Sequence, residues 1–565
     1  MNPFSLAYRE QQQLFLFEQS YVCGLLFQIG GLSCLTARFI VQFFVNPTIA
    51  LAITMSLSVF MLLLLWAGLR GEGRNWHILP FCFIPIIFEF SALSDNALHY
   101  DAFIALIFAV ACIPIFAKRR NILLGTAYSI ALYLIAGSAA MVFAVSAFII
   151  CIFNDKRPKS LLSAAIPGSV LACAWVASAA GAIPSFAIGL SPRLFYNPVD
   201  EMNPGHWVPW LLIPLIILMV ESLRKFRKAT VAIAGTTLAI ASVFSAMRLE
   251  TRLSEKENAI MHECEYFSEK RRWNDVLRVS SRYSNHEYFG NYMNMALAQK
   301  GTLTEDLLKH WQKNPNSIIF NPGNKSSDAR LARVEYTMGN MAAAQVIAFN
   351  SLQSNCGYNP AMLKMLTKIE LMRGSWNVAE KYLDILGESL QYRSWAEHYR
   401  KFLCNDQAIM QDPELFNGRA DFPTADGFAD YISPLGELLR VIESNPNDSR
   451  AVSYAISFLI LGKDIDGLNI FVDRFASAPV LNPLPRLVQE ALVFYSAYHS
   501  RIGEEPEAPT NGLMIPDSDW CLSKGISIDV IRRFEEFQTA AFKNNGHIPA
   551  EYRDSFWFYF ARQEK

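Results

Sequence analysis

Glu89, Asp95, His99 and Asp101 bring three carboxylates and an imidazole together within thirteen residues of a strongly apolar region. Carboxylates so spaced suit two tasks: taking the proton from an acceptor hydroxyl, or holding a divalent cation. His99 can share either one. A plainer reading has Asp95-Asn96 capping the next helix and Asp101 in its first turn, where the helix dipole favours negative charge. Glu89 resists that reading. It lies about one helical turn inside the apolar run 81–93, where an ionisable group is costly.

A second polar loop, residues 185–207, carries Arg193, Tyr196, Asp200, Glu201 and His206. Arg193 beside Tyr196 can hold the phosphate of a lipid-linked donor, because a guanidinium meets phosphate oxygens in two-pronged fashion. The same residues also suit an ordinary solvated loop. Arg38, among Phe and Val, either snorkels to an interface or meets a phospholipid headgroup.

These loops need apolar helices to hold them. A hydrocarbon core takes roughly 20 helical residues to cross, and residues 47–69, 76–93, 102–117, 161–184, 208–223 and 229–247 are expected to span it. Residues 121–153 form a longer apolar stretch broken at Gly137-Ser138. Lys118-Arg119-Arg120 and Lys156-Arg157-Pro158-Lys159 flank it, and short basic loops stay on the cytoplasmic side. Both flanks can lie inside only if the stretch crosses twice, so two short antiparallel helices are expected. The same rule puts Arg70, Arg74 and 224–228 inside. It leaves 95–101 and 185–207 outside, with the chain after Arg248 on the outer side too. For residues 1–46, the expectation is a poor span over 14–32 followed by an interfacial helix, rather than helices lying wholly in the interface.

After Arg248 the apolar runs stop and a helical periodicity takes over. Gly301, Gly339 and Gly374 each fall where a helix should end in a left-handed turn, and Gly462 repeats the device. The first three are 38 and 35 residues apart, near the roughly 34 of tetratricopeptide repeats. Trp376 with Ala379 and Tyr382 fits that pattern. Residues 406–431 and 504–516 read as excursions, and 528–543 and 549–563 as closing helices. The expected fold is therefore all-α: a polytopic transmembrane domain over 1–248 and a soluble helical-repeat domain over 249–565. Such stacks present concave surfaces to protein partners, or simply cap what they pack against.

Charge follows the same division. Residues 1–248 hold 16 Lys and Arg against 10 Asp and Glu, and the remainder 34 against 41. No concentrated basic face is left for nucleic acid. The ten cysteines never form a Cys-x-x-Cys pair, which argues against zinc, iron–sulfur or dithiol chemistry. Phosphate-binding loops, H-E-x-x-H, G-x-S-x-G and dinucleotide fingerprints are all missing.

Glu10-Gln11-Gln12-Gln13-Leu14-Phe15, Gly30-Gly31-Leu32, Arg38-Phe39 and Gln42-Phe43-Phe44 resemble an uncharacterised family of multi-spanning bacterial membrane proteins. So do Trp273-Asn274-Asp275-Val276 and Asn291-Tyr292-Met293-Asn294-Met295-Ala296-Leu297. That resemblance covers nearly the whole chain and implies a bacterial inner membrane with a periplasmic outer face. It brings no activity with it. More loosely, the plan is similar to membrane glycosyltransferases that use lipid-phosphosugars, which carry an acidic residue in an early outer loop. Asp95 or Asp101 would match it, although here the loop follows a later span and the spans are fewer. The expected function is envelope biogenesis. Glu89, Asp95, His99 and Asp101 would line a site at the periplasmic face, while Arg193 and Tyr196 bind a polyprenyl-phosphate-linked sugar. The alternative is a membrane-anchored scaffold whose repeats recruit protein partners.

Overall fold

Asn46 accepts a hydrogen bond from the Thr48 amide, and Pro47 fills the first helical position, where its missing N–H costs nothing. The 23 residues Pro47–Leu69 (here α4) then run on unbroken for about 35 Å. The computed structural model describes residues 2–70, 75–154, 159–198, 200–253, 256–283, 286–319, 329–354, 359–422, 434–503, 513–543 and 548–562. Among these residues the regular structure is helical, and the one extended pairing is an antiparallel bridge between Leu98 and Tyr196. The chain divides into two compact units. One comprises Met1–His262, Ser354–Pro360 and Asp384–His398; the other comprises Glu263–Gln353, Ala361–Leu383 and Tyr399–Lys565.

In the first unit α4 is preceded by α1 (Pro3–Tyr8), α2 (Gln19–Leu26) and α3 (Gly31–Val41). It is followed by α5 (Leu79–Ala92), α6 (Asp101–Arg119), α7 (Ile122–Ala136), α8 (Ala140–Asn154) and α9 (Lys159–Leu162). Then come α10 (Ala165–Ala179), α11 (Trp207–Leu223), α12 (Lys228–Leu253) and the start of α13 (Lys256–Glu269). Among the described residues five stretches are, by length and composition alone, apolar enough to cross a membrane: Pro47–Leu69, Asp101–Arg119, Ile122–Asn154, Pro204–Leu223 and Lys228–Thr251. The helices Trp76–Ala92 and Ala165–Ala179 are apolar but shorter. α5 packs on α11 and α12, α4 on α6, and α8 on α6 and α11. Gly235 permits the α5–α12 approach: a Cβ there would sit 2.6 Å from the Phe81 ring.

Ile122–Asn154 turns back on itself. Gly137 has φ 55° and ψ −135°, a backbone region that glycine alone enters readily. The rings of Tyr128 and Phe143 lie 6.4 Å apart. A straight helix would separate residues at that sequence distance by about 22 Å. α7 and α8 are thus the antiparallel pair that the flanking basic clusters called for.

The two ends of this bundle differ chemically. At one end the Glu221 carboxylate accepts from Arg224 at 2.8 Å, Asn154 and Arg120 face it, and Arg224 reaches toward the Leu69 carbonyl. At the other end the Gly137 turn abuts Gly30 and Phe195, and the 93–100 loop pairs with 195–197. α12 starts near His77 and ends beyond Ala246, whose carbonyl accepts from Ser91. It runs through Arg248 to Leu253, so the chain leaves the bundle at the loop end. The Lys156-Arg157-Pro158 cluster and Arg74 lie outside the described residues.

The expected span over 14–32 does not form. Residues 12–18 lack helix, α2 has only 8 residues, and Gly30 turns the chain with φ 78°. The backbone at Phe17 instead donates to the Glu388 carbonyl at 2.8 Å, and the Tyr392 hydroxyl donates to Glu10 at 2.9 Å.

The second unit is built from helices joined by tight turns, such as Ala329–Met338 with Met341–Ser354, Pro360–Arg373 with Trp376, and Ser449–Leu461 with Ile465–Arg474. Leu331, Met341, Ile347, Met362, Ile369 and Ala379 lie in its one large core. Gly301, Gly339 and Gly374 adopt φ of 71°, 89° and 82° as expected, but at the fourth turn Lys463 (φ 56°), not Gly462, takes the left-handed residue. The expected excursion over 406–431 is helical at its start, in Asp406–Gln411 and Pro413–Ala420, because Asn405 and Asp412 cap both segments. Its residues 423–431, and 504–512 of the other excursion, lie outside the described residues. The expected helix over 549–563 is a short turn at Ala550–Tyr552 and then Phe556–Ala561, whose start is set by the Ser555 cap.

Candidate functional site

The loop from Leu93 to Tyr100 is gripped by an arginine at the end of the first helix. Asn2 and Pro3 start α1, and α1 delivers Arg9 to the loop end of the bundle, where it is 1% exposed. Its Nη1 donates to the Leu98 carbonyl at 2.5 Å, and its Nη2 to the carbonyls of Leu93 and Asp95 at 2.8 and 3.0 Å. A planar guanidinium can serve three carbonyls at once; an ammonium cannot match that fork. Burial pushes Arg9 down to about 10, and the charges of Asp95, Asp101 and Glu89 act against the fall.

Asp95 joins two loops. Its Oδ1 accepts from the Ala97 amide at 2.9 Å, and its Oδ2 accepts from Tyr196 Oη at 2.9 Å and His206 Nε2 at 2.8 Å. Burial works against the ionised form, but the bonds from His206, Ala97 and Tyr196 outweigh it and hold the carboxyl below its ordinary value. The backbone adds to the junction: the His99 amide donates to Phe195 O at 2.9 Å and the Asn197 amide to Ala97 O at 2.8 Å. His206 is fully buried, and its Nδ1 has no hydrogen-bond partner among the described residues.

Asp101 opens α6 and accepts from Gln13 Nε2 at 2.9 Å, while Gln13 Oε1 accepts from the Tyr100 amide at 3.3 Å. Cys34 and Arg38 of α3 face the same carboxylate. Burial pushes the His99 imidazole down, and Asp101 partly opposes that shift. Glu89 is 1% exposed on α5; neither of its oxygens has a hydrogen-bond partner among the described residues, and Arg9 is the cation it faces. Glu89, Asp95, His99 and Asp101 therefore gather around Arg9, and Tyr196 joins them through Asp95. Arg193 sits at the exposed rim, where it donates to the carbonyls of Pro198 and Asp200 and lies over the Tyr196 ring.

Two members of the cluster carried no sequence signal. Arg9 stands outside any motif, and its partners are 84 to 89 residues away. His262 on α13 stacks on Tyr8 at 4.2 Å, with its Nδ1 3.1 Å from Ser5 Oγ and its Nε2 3.2 Å from Asn96 Nδ2. Burial and the nearby Arg9 charge push it down to about 3. His206 stood among the polar residues of its loop, but nothing there marked it as the partner of Asp95. Among the described residues no group of three or more His, Cys, Asp or Glu side chains is placed to share a metal ion.

An all-helical chain with apolar helices of membrane-crossing length and a buried polar cluster at one bundle end is the class that fold and site define. Residues 1–563 match the DUF6057 family of unknown function, and the chain belongs to that family. No curated protein and no solved structure matches it.

Proposed function

We propose that the protein is a bacterial inner-membrane component of cell-envelope biogenesis, acting at the loop end of its first unit as a transferase on a polyprenyl-phosphate-linked sugar. The observation that carries this reading is the burial of Arg9, Glu89, Asp101 and His206, drawn from four separated segments, at one end of an apolar bundle. Ionisable groups in such a setting are costly and are kept for function more often than for stability. Arg120 and Arg224 at the opposite end favour a cytoplasmic location for that end, which makes the loop end periplasmic. Within the cluster, His206 Nδ1 and the Glu89 carboxyl have hydrogen-bonding capacity not spent on any of the described residues, which suits them to handle a proton. The repeat-like helices of the second unit, in a tetratricopeptide-type arrangement, would present the acceptor. The test is sugar transfer from a polyprenyl-phosphate sugar in proteoliposomes. Glu89→Gln, Asp101→Asn and His206→Gln should abolish transfer while each variant still inserts and folds; full activity in all three would refute the reading.

One observation favours the scaffold alternative. Both Asp95 oxygens and both terminal nitrogens of Arg193 are already engaged by the protein itself, as residues that merely fasten loops would be. On that reading the three variants retain their envelope role, and deletion of the second unit removes it.

A further inference from the structure

We infer that the corner between α2 and α3 inserts into the acyl-chain layer of the membrane leaflet on the loop side, with Phe27 at its tip and lipid as the partner that covers it. Phe27 is 90% exposed, and Leu26 and Leu32 on either side of it are exposed as well. A large aromatic side chain bared at a turn, flanked by further bared apolar side chains, is an interaction surface and not an ordinary loop tip. The neighbouring surface tells what covers it. The Gly30 amide donates to the Leu134 carbonyl of α7 at 2.9 Å, so the corner adjoins Leu134 directly. Leu134 and Ile130 are exposed one helical turn apart on α7, within a stretch apolar enough to cross a membrane. The bared face of the corner is therefore continuous with the face that α7 turns to lipid.

The corner also has the polarity of an interfacial element. Glu18, Gln19 and Ser20 at the start of α2 are exposed, while Leu26, its exposed large apolar side chain, lies at its end beside Phe27, with Gln28 also exposed next to it. With 8 residues α2 is about 12 Å long, enough to dip into a leaflet and return but not to cross. The inner face of α3 is committed elsewhere: Cys34, Ala37 and Val41 are buried, and Cys34 and Arg38 face Asp101. The lipid-inserted corner is thus fixed to the carboxylate cluster and sets that cluster at the level of lipid headgroups.

The inference rests on the membrane reading, and the experiment separates the two. An environment-sensitive fluorescent amino acid replaces Phe27, Leu32, Glu18 or Phe244 in the full chain, reconstituted in phosphatidylcholine–phosphatidylglycerol vesicles with and without brominated acyl chains. Phe244 on α12, 67% exposed, reports on the membrane reading alone. The expected result is loss of emission in brominated vesicles at 244, 27 and 32 alike, with iodide quenching confined to 18. Loss at 244 but not at 27 and 32 overturns the inference and leaves the membrane reading standing. No loss at 244 overturns the membrane reading itself. Protection of 27 and 32 from both quenchers means a protein surface such as a second copy covers the corner, and this too overturns the inference.

Discussion

Replacing Arg9 tests the idea that one N-terminal guanidinium organises the carboxylate loop. Arg9→Gln removes donors at 2.5, 2.8 and 3.0 Å from three carbonyls that lie between Leu93 and Leu98. Hydrogen bonds to a charged group contribute about 1.5–3 kcal/mol each, but the buried guanidinium also carries a desolvation cost that its removal relieves. Removing one partner from a buried ionic arrangement typically leaves a net loss of about 3–5 kcal/mol. Here the loss should fall in that range, since Glu89 would lose the cation it faces and Asp95 and Asp101 would lose one of the positive groups near them. The assay is thermal unfolding of purified protein in detergent, paired with amide hydrogen exchange of the 93–100 loop. Exchange in that loop should accelerate far more than exchange in α4. Arg9→Lys should lie between wild type and Arg9→Gln, because it keeps the charge but loses the fork. Unfolding of Arg9→Gln within about 0.5 kcal/mol of wild type, the range of ordinary surface substitutions, would refute the reasoning.

Tyr196→Phe removes one of the two side-chain donors to Asp95 Oδ2 and should cost about 1–2 kcal/mol, measured by the same unfolding assay; it should also raise the Asp95 pKa toward its ordinary value. His262 sits at about 3 when folded against an ordinary value of about 6.5. The unfolded chain therefore binds the extra proton between those values, so stability is complete above roughly pH 6.5 and falls as pH drops toward 3. By pH 5 the loss is at most about 2 kcal/mol, less to the extent that solvent reaches the partly exposed ring. A pH series on wild type and His262→Gln checks this, and an unchanged slope in the variant would exclude His262 as the cause. Gly137→Ala forces a side chain into a backbone with φ 55° and a contact 2.6 Å from Leu194 Cδ2; it should cost at least about 2 kcal/mol and lower the yield of folded protein, read by size-exclusion chromatography.

Much of the helical scaffold was legible because its causes are local. Pro47–Leu69 is a run of apolar residues between an Asn-Pro start and Arg70, and length alone marks it. The turn at Gly137 was legible from basic clusters on either side, which admit only an even number of crossings. Gly301, Gly339 and Gly374 announce left-handed turns because few other residues tolerate them. Lys463 hides the same conformation under a side chain that usually avoids it. Residues 14–32 misled because composition signals an apolar environment without saying whether the backbone crosses it. The polar cluster was legible only where its residues are neighbours in sequence. Glu89, Asp95, His99 and Asp101 announce themselves together. Arg9, Gln13, His206 and His262 join them through contacts that span up to 257 residues, and no spacing rule reaches that far.

The shortness of the α7–α8 hairpin has a consequence for any membrane that surrounds it. Each of its helices has 15 residues and so rises about 22 Å. If both cross a bilayer whose hydrocarbon core is about 30 Å thick, the lipid beside them must thin by roughly 8 Å to meet both ends. Hydrophobic mismatch of this size costs a fraction of a kcal/mol per Å, and the strain falls on the patch of lipid beside the hairpin alone. Thin bilayers or short-chain lipids would relieve it. On the membrane reading, the protein should therefore collect in the thinner regions of a mixed membrane and draw short-chain lipids around that one flank.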